Sequence, residues 1–255
     1  MLFSSAGQVL SIRVSAGGKL IIKDSVVSAV DNKPTFYIVV ENNGYILIDH
    51  SEISCCALVP DSVGSIVINS NGNKIVRSVF RDNEGALLLQ GVAGIELSEN
   101  VFINNNIAVY ILNSKDIDVC QNAFKNNGIA LQVSSSSMIK IVNNSFFRNG
   151  YGIKIRRSSS VKIVNNALYF DIITISGTFY DFASLHLTNN TVNGKPLIFI
   201  FNTSSLIIMN VEYGGILIGF SSDITIANAT IDFIYVFSSA DISLYNVTTY
   251  GCECG

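Results

Sequence analysis

Residues 94–171 contain four successive lines of sequence that align at a step of 22 residues. The lines read GIELSENVFINNN (94–106), DIDVCQNAFKNNG (116–128), MIKIVNNSFFRNG (138–150) and SVKIVNNALYFD (160–171). Three columns recur at this step: Asn100, Asn122, Asn144 and Asn166; Phe80, Phe102, Phe124, Phe146 and then Leu168; and Asn83, Asn105, Asn127 and Asn149. Recurrence with a period in the twenties predicts a solenoid.

The fourth line and the residues before it show how one coil is built. GIKI (152–155) and VKI (161–163) alternate apolar and charged residues, so each predicts a short strand with one inward face. Asn165 and Asn166 predict a bend because Asn tolerates left-handed backbone, and ALYF (167–170) predicts a third strand. Three stacked strands per coil predict three parallel sheets around a triangular core.

One apolar anchor can be assigned to each coil along most of the chain. The anchors are Ile22, Ile48, Ile75, Leu97, Val119, Ile141, Ile163, Leu187, Ile208, Ile226 and Leu244. They predict an all-β, single-stranded parallel β-helix of about eleven coils, which narrows toward its C-terminus. We predict irregular coils and a cap over residues 1–65, regular coils over 66–251 and a tail, typical of a truncated chain, over 252–255. Residues 20–251 would form one continuous domain.

The repeated columns predict internal ladders. Stacked phenylalanine rings would fill the core, each contributing about 0.5–1.5 kcal/mol beyond burial. Asparagine amides at the bend would bond the coils above and below, where sheet hydrogen bonding is interrupted. The predicted ladder residues are Asn100, Asn122, Asn144, Asn166, Asn190, Phe80, Phe102, Phe124 and Phe146.

Composition excludes several classes of protein. The net charge is −3, whereas a nucleic-acid surface needs a basic stripe. Apolar runs such as residues 196–201 are far shorter than the ~20 residues of a membrane helix. Residues 1–18 lack a basic start followed by an apolar run, so no signal peptide is expected in this segment. The chain is then either a mature or excised part of a longer protein, or a protein that stays inside the cell.

The repeat resembles a known group of proteins. IVNNSFFRNGYGIKI (141–155) and its neighbouring lines are similar to right-handed parallel β-helix repeats of the NosD type, which also occur in carbohydrate-binding and sugar-hydrolase proteins. NNTVNGKPL (189–197) resembles a segment of archaeal members. The resemblance covers about residues 20–251. It implies a right-handed, extracytoplasmic β-helix, at the cell surface, outside the cell or in a periplasm-like space, with carbohydrate binding. For NosD itself it implies an accessory role in copper-site maturation.

Catalytic motifs of carbohydrate-active β-helices are missing from the sequence. Hydrolases of this fold carry clustered aspartates, a Gly-His-Gly and an Arg-x-Lys, and none of these occurs here. Asp171 and Asp181 are the candidate catalytic pair, because glycosidase chemistry needs two carboxylates. Only Asp171 falls in the repeat register, and a polar turn explains the pair equally.

Outward columns supply the remaining candidate sites. On the second strand of each coil, Glu96 and Asp118 lie one strand spacing apart and are a candidate cation site. A pairing of Asp118 with Lys140 on a solvated face is the alternative. On the first strand, two outward columns place Tyr110, Gln132, Lys154 and Arg156 together as a candidate sugar-binding surface. A mixed exposed sheet is the alternative there.

No cofactor is expected. Calcium or copper is the alternative, but the sequence supports neither beyond the candidate cation site at Glu96 and Asp118. His50 and His186 fall in non-adjacent coils, and the five cysteines leave at least one thiol unpaired within a single chain.

Partners are expected to be carbohydrate or other surface protein chains, without nucleic acid or a membrane span. Apolar residues on both faces of residues 216–220 and 231–237 predict that the C-terminal end is covered by another domain or subunit. Loops of the same chain that fold back over this end are the alternative.

Three functions follow from these observations. The first is a non-catalytic extracellular or surface β-helix for carbohydrate binding or structural assembly, which the missing motifs favour. The second is a polysaccharide lyase or hydrolase with an unusual site. The third is a NosD-like copper-accessory protein.

Overall fold

The computed structural model describes residues 2–3, 9–29 and 36–254, without the side chains of residues 2–3 and 250–254. The first strands are β1 (Leu2–Phe3), β2 (Leu10–Val14), β3 (Lys19–Lys23), β4 (Val26–Ala29), β5 (Phe36–Val40), β6 (Tyr45–Asp49), β7 (Glu52–Ser54), β8 (Ile66–Ile68), β9 (Lys74–Val76) and β10 (Val79–Arg81). The regular coils contain β11 (Gly85–Gln90), β12 (Ala93–Ser98), β13 (Val101–Ile103), β14 (Ile107–Leu112), β15 (Lys115–Cys120), β16 (Ala123–Lys125), β17 (Ile129–Ser134), β18 (Ser137–Val142), β19 (Ser145–Phe147), β20 (Tyr151–Arg156), β21 (Lys162–Val164) and β22 (Ala167–Tyr169). The last elements are β23 (Ile173–Ser176), α1 (Phe179–Ala183), β24 (His186–Thr188), β25 (Thr191–Val192), β26 (Lys195–Phe201), β27 (Ser204–Met209), β28 (Glu212–Tyr213), β29 (Gly215–Gly219), β30 (Ser222–Phe237) and β31 (Ala240–Cys254).

Every third strand pairs in parallel, which builds three sheets along the stack. Sheet A has the order β1-β4-β7-β10-β13-β16-β19-β22-β25 and continues through β26, β29 and β30. Sheet B is β2-β5-β8-β11-β14-β17-β20-β23, and sheet C is β24-β21-β18-β15-β12-β9-β6-β3. The antiparallel β25–β26 contact interrupts the regular pattern before the narrower C-terminal coils. The predicted parallel β-helix of about eleven coils is therefore confirmed.

Early strands join the same sheets as the regular coils, although the sequence predicted an irregular cap over residues 1–65. β2 to β7 all have places in sheets A, B and C. The buried core forms two clusters, one from Val14 to Phe233 and a smaller one from Ile200 to Ile234. The single continuous domain over residues 20–251 stays a prediction.

The phenylalanine ladder lies in the core as predicted. Phe102, Phe124 and Phe146 stack with ring centroids 4.9 Å apart and interplanar angles of 8° and 3°. Phe80 begins the ladder, 5.0 Å from Phe102, and all four rings are fully buried. Leu168 pairs in register with Phe146 and ends it.

The asparagine ladder satisfies backbone groups at the bend between sheets C and A. The Nδ2 of Asn144 donates to the carbonyl of Val119 at 2.8 Å and to the Oδ1 of Asn166 at 3.0 Å. Its Oδ1 accepts from the backbone N of Asn122 at 2.8 Å. The preceding residue, Asn143, makes the turn itself with φ of 57°. The two adjacent asparagines therefore have different roles: Asn143 adopts the left-handed turn conformation, and Asn144 forms the ladder hydrogen bonds.

Replacing Asn144 with Ala is expected to lower the free energy of unfolding by about 1–3 kcal/mol, because the change leaves buried donors and acceptors unpaired. Urea denaturation followed by circular dichroism measures the loss. Asn106→Ala is the matched control, since this asparagine is exposed. Equal midpoints for the two variants would show that the ladder amides do not bridge the coils.

A short insertion leaves the stack between β23 and β24 and carries α1. Thr178 and Asp181 form a capping box at its start. The ring of Phe182 then stacks on Phe237 with centroids 5.1 Å apart. A Cβ at position 219 would lie 2.8 Å from Phe182, so Gly219 permits this close approach. The sequence did not predict this helix.

The insertion covers part of the C-terminal apolar surface from within the chain. Leu217 is only 2% exposed, and Phe220 and Phe237 are partly buried against the main core cluster, which includes Phe182. The last coil is more open, with Leu244 45% exposed. Within the described residues β31 pairs only with β30. Another domain or subunit packed on this last coil stays a prediction.

Candidate ligand-binding groove

Two clefts meet on the outer face of sheet B. The larger, of about 850 Å³, lies next to α1, and the smaller, of about 460 Å³, lies under the loop of residues 57–65. Tyr110 and Leu112 line both clefts. We call the combined depression the sheet B groove. It extends from Arg13 on β2 to Ser176 on β23, which is seven strand steps or roughly 34 Å.

The strand register explains how residues distant in sequence line the groove. Parallel pairing places Leu88, Tyr110 and Gln132 in one outward column, with Lys154 next to Gln132. A second outward column contains Gln90, Leu112, Ser134, Arg156 and Ser176. The groove therefore has an apolar and aromatic half toward the N-terminus and a polar half toward α1.

Loops outside the sheets form the walls. Gly64 approaches Leu88 so closely that a Cβ there would lie 2.6 Å from the Cβ of Leu88. At the other end, Gly177, Thr178 and Asp181 line the larger cleft. These two segments flank the outward face of sheet B at the two clefts.

Two of the four predicted sugar-binding residues line the larger cleft, namely Tyr110 and Arg156. Gln132 and Lys154 lie in the outward columns but outside the cleft linings. The Nζ of Lys154 lies 4.4 Å from the ring centroid of Tyr151, a cation–π contact. Ser134 and Arg157 also line the cleft. Neither was predicted as a site residue, although the sequence places Ser134 in the same outward column as Arg156. Their signal was the second outward column and the RRSSS segment at 156–160.

The predicted catalytic aspartates are not brought together in the groove. Asp181 lines the larger cleft, but its Oδ2 accepts from the backbone N of Thr178 at 2.7 Å and from the Thr178 hydroxyl at 2.9 Å. Asp171 is 3% exposed and is absent from the cleft lining. One carboxylate that already caps a helix is not a two-carboxylate site.

Asp171 instead ends the second asparagine ladder. Its Oδ1 accepts from the backbone N of Asn149 at 2.9 Å and its Oδ2 accepts from Asn149 Nδ2 at 3.1 Å. Burial raises the pKa of Asp171 to about 7, although the hydrogen bonds from Asn149 act in the opposite direction. The sequence repeat placed Asp171 in register, and the structure gives it a ladder role.

Glu96 and Asp118 are register partners, as predicted, but each carboxylate has a lysine on its other side. Glu96 lies 2.8 Å from Lys74 and Asp118 lies 2.9 Å from Lys140. The hydrogen bond from Lys74 lowers the pKa of Glu96 despite partial burial. The row on sheet C therefore has the two carboxylates side by side, each neutralised by the lysine on its outer side.

Sequence comparison places the chain in a family. The family described as "Periplasmic copper-binding protein (NosD)" matches residues 11–162, more than half of the 255 residues. The chain belongs to the NosD family. None of the helical structure in the described residues has the length and apolar character to cross a bilayer. No curated protein sequence matches the chain.

Solved structures similar to this NosD-family fold include three proteins from other sources. A tailspike protein of E. coli bacteriophage HK620 is 12% identical over the whole chain, with a TM-score of 0.48, and the chain covers 56% of the tailspike. The Streptococcus pneumoniae surface protein and adhesin PfbA is 12% identical (96% of this chain, 91% of PfbA, TM-score 0.40). A Paenibacillus alginate lyase is 10% identical (95% and 93%, TM-score 0.37). At these scores the likenesses support no inference about ligand or activity.

The copper binding named in the family description does not fit the described residues. Copper favours clustered Cys, Met and His ligands, yet no group of three or more His, Cys, Asp or Glu side chains able to hold a metal lies among the described residues. His50 contacts Asp24 at 2.7 Å, and His186 lies near Thr188. Cys56 is fully buried, which raises its thiol pKa well above the usual value and disfavours the thiolate ligand.

Proposed function

We propose that this NosD-family protein is a non-catalytic, exported β-helix that binds carbohydrate in the sheet B groove. The observation that carries the proposal is the meeting of two clefts at Tyr110 and Leu112. Their volumes of about 850 and 460 Å³ lie in the range of small-ligand sites. The periplasmic description of the family supports a location outside the cytoplasm.

The residues of the groove suit a sugar chain. A sugar ring has apolar C–H faces and a polar rim of hydroxyl groups. Tyr110 offers a partly exposed aromatic face at the centre of the groove, and Leu112 lies beside it. Ser135, Ser176 and Thr178 supply hydroxyl groups around the larger cleft. A groove of roughly 34 Å along seven strand steps would accept several consecutive rings.

The arrangement of carboxylates in the larger cleft favours binding of carbohydrate without hydrolysis. Of the two predicted catalytic residues only Asp181 lines the larger cleft, and its Oδ2 already accepts two hydrogen bonds from Thr178. Hydrolysis of a glycosidic bond by general acid–base catalysis needs a second carboxylate on the opposite side of that bond. The described part of the groove does not provide one within the larger cleft.

Replacing Tyr110 with Ala is expected to weaken glycan binding roughly tenfold or more, which corresponds to about 1.4 kcal/mol or more. The lost contact is the aromatic face shared by both clefts. The measurement is a glycan-array screen of the wild type, followed by titration of the best ligand against each variant. Tyr169→Ala is the matched control, because this tyrosine is 41% exposed on sheet A.

A parallel assay for reducing ends and unsaturated uronates tests the non-catalytic assignment. Release of either product by the wild type, abolished in Asp181→Asn, would replace binding with catalysis as the function. Absence of any glycan ligand, or equal binding by Tyr110→Ala and the wild type, would contradict the proposed groove.

A further inference from the structure

We infer that the larger cleft is an anion subsite, so that the carbohydrate bound in the sheet B groove carries carboxylate or sulfate groups. This inference rests on the proposed function and specifies its ligand class. It comes from two independent observations at the α1 end of the groove. One is a pair of arginines without acidic partners, and the other is a buried hydroxyl without a hydrogen bond.

The arginines of the cleft differ from all the others in the chain. Arg13, Arg77 and Arg81 form ion pairs with Glu41, Asp49 and Glu52. Arg148 lies over the rings of Phe147 and Phe170 at 5.1 and 5.5 Å.

Arg156 and Arg157 line the cleft, are exposed, and have no ion pair among the described residues. The nearby carboxylate of Asp181 is held by Thr178 and forms no ion pair with either arginine. The cleft lining therefore has two arginines against one carboxylate, an excess of positive charge in a protein of net charge −3.

The buried hydroxyl belongs to Ser134, which is adjacent to Arg156 in the strand register. Ser134 is 8% exposed, lines the same cleft, and its Oγ has no hydrogen-bond partner. Buried polar groups without partners are rare in folded proteins, and each has a cost. A neighbouring serine outside the cleft, Ser136, shows the usual arrangement, since its Oγ donates to the carbonyl of Ser134 at 2.8 Å.

Together these groups suit an oxyanion on a sugar ring. Guanidinium groups recognise carboxylate and sulfate through paired N–H donors. The Ser134 hydroxyl would add a third donor beside Arg156 once the side chain of Arg156 turns toward the ligand. Tyr110, which lines the same cleft two strands away on β14, would then contact the ring that bears the acidic group.

The test compares acidic oligosaccharides with neutral versions of the same chain. Oligogalacturonate and oligomannuronate are titrated beside their carboxyl-reduced counterparts, and a sulfated galactan oligosaccharide serves as the third acidic probe. Arg156→Gln is expected to weaken binding of the acidic probes roughly 10- to 100-fold. Lys162→Gln on sheet C removes one exposed charge outside the groove and is expected to have little effect.

Ser134→Ala separates a binding role from a structural one. Because its Oγ has no partner in the free protein, the variant is expected to keep its unfolding midpoint and to lose acidic-glycan affinity several-fold. Ser136→Ala is expected to lower the unfolding midpoint and leave binding unchanged. Loss of stability in Ser134→Ala with unchanged affinity would overturn the assignment of this hydroxyl.

The outcomes distinguish this inference from the proposed function. Binding of acidic probes alone, lost in Arg156→Gln, supports the anion subsite. Equal binding of acidic and carboxyl-reduced probes overturns the subsite but leaves carbohydrate binding in place. Equal losses in Arg156→Gln and Lys162→Gln indicate non-specific charge attraction and overturn the subsite. Binding of neither class contradicts both proposals.

Discussion

Truncating Phe124 to Ala is expected to lower the free energy of unfolding by about 3–5 kcal/mol, the largest effect of any change considered for the core. The ring is fully buried between Phe102 and Phe146, with centroids 4.9 Å away on each side. Its loss leaves a cavity that the flanking rings cannot fill, because strand pairing fixes the spacing of the coils. Stacking contacts on both faces are lost as well.

Two further variants sharpen this result. Phe124→Leu is expected to cost less than the alanine change, since Leu168 occupies the same column beside Phe146 in the native chain. Tyr169→Ala on the outer face of sheet A controls for loss of an aromatic residue without a buried cavity. Thermal and urea denaturation give the three midpoints. Indistinguishable midpoints for Phe124→Ala and Tyr169→Ala would contradict an internal ladder.

The repeat made the coil architecture predictable, because each column at the step of 22 residues constrains the same position in every coil. Inward Phe124 and ladder Asn144 both follow from that register. α1 was not predictable in this way. The sequence FYDFA at 179–183 is as apolar as many of the strands in this chain. The helix depends instead on the Thr178–Asp181 capping box and on the packing of Phe182 against Phe237.

The groove was predictable only in part, and for a related reason. Outward columns identified Tyr110 and Arg156, since register alone places them on one face. Concavity depends on the loop of residues 57–65 and on the α1 insertion, which lie outside the repeat. The Ser134 hydroxyl has no hydrogen-bond partner because no neighbouring group donates to it or accepts from it. A repeat pattern does not encode such an absence.

Asp171 makes the stability of this fold depend on pH. In the second asparagine ladder each amide accepts from the previous coil and also donates, as when Asn127 Nδ2 bonds the carbonyl of Phe102 at 3.1 Å. Asp171, at the end of the ladder, accepts from Asn149 but has no amide to donate. Burial raises its folded pKa from 3.8 to about 7. Between these values the folded protein keeps a proton that the unfolded chain has released.

The contribution of Asp171 to the free energy of unfolding should therefore be largest at acidic pH and fall as the pH rises from about 4 to 7. Above pH 7 the ionised carboxylate is buried in the folded state and the loss is complete. Asp171→Asn places an asparagine at this position, as in the rest of the second ladder, and removes the titrating carboxyl group. The rise of the pKa from 3.8 to about 7 corresponds to about 4 kcal/mol. At pH 8 the variant is expected to be more stable than the wild type by this order, with little difference at pH 4.

Urea denaturation at several pH values between 4 and 8 measures both curves. Asp116→Asn provides the matched control, since it makes the same chemical change at an exposed position of β15. The control should keep the wild-type slope, whereas Asp171→Asn should flatten it. A slope that survives in Asp171→Asn would assign the pH dependence to another group and would show that the ladder holds Asp171 ionised without a large desolvation cost.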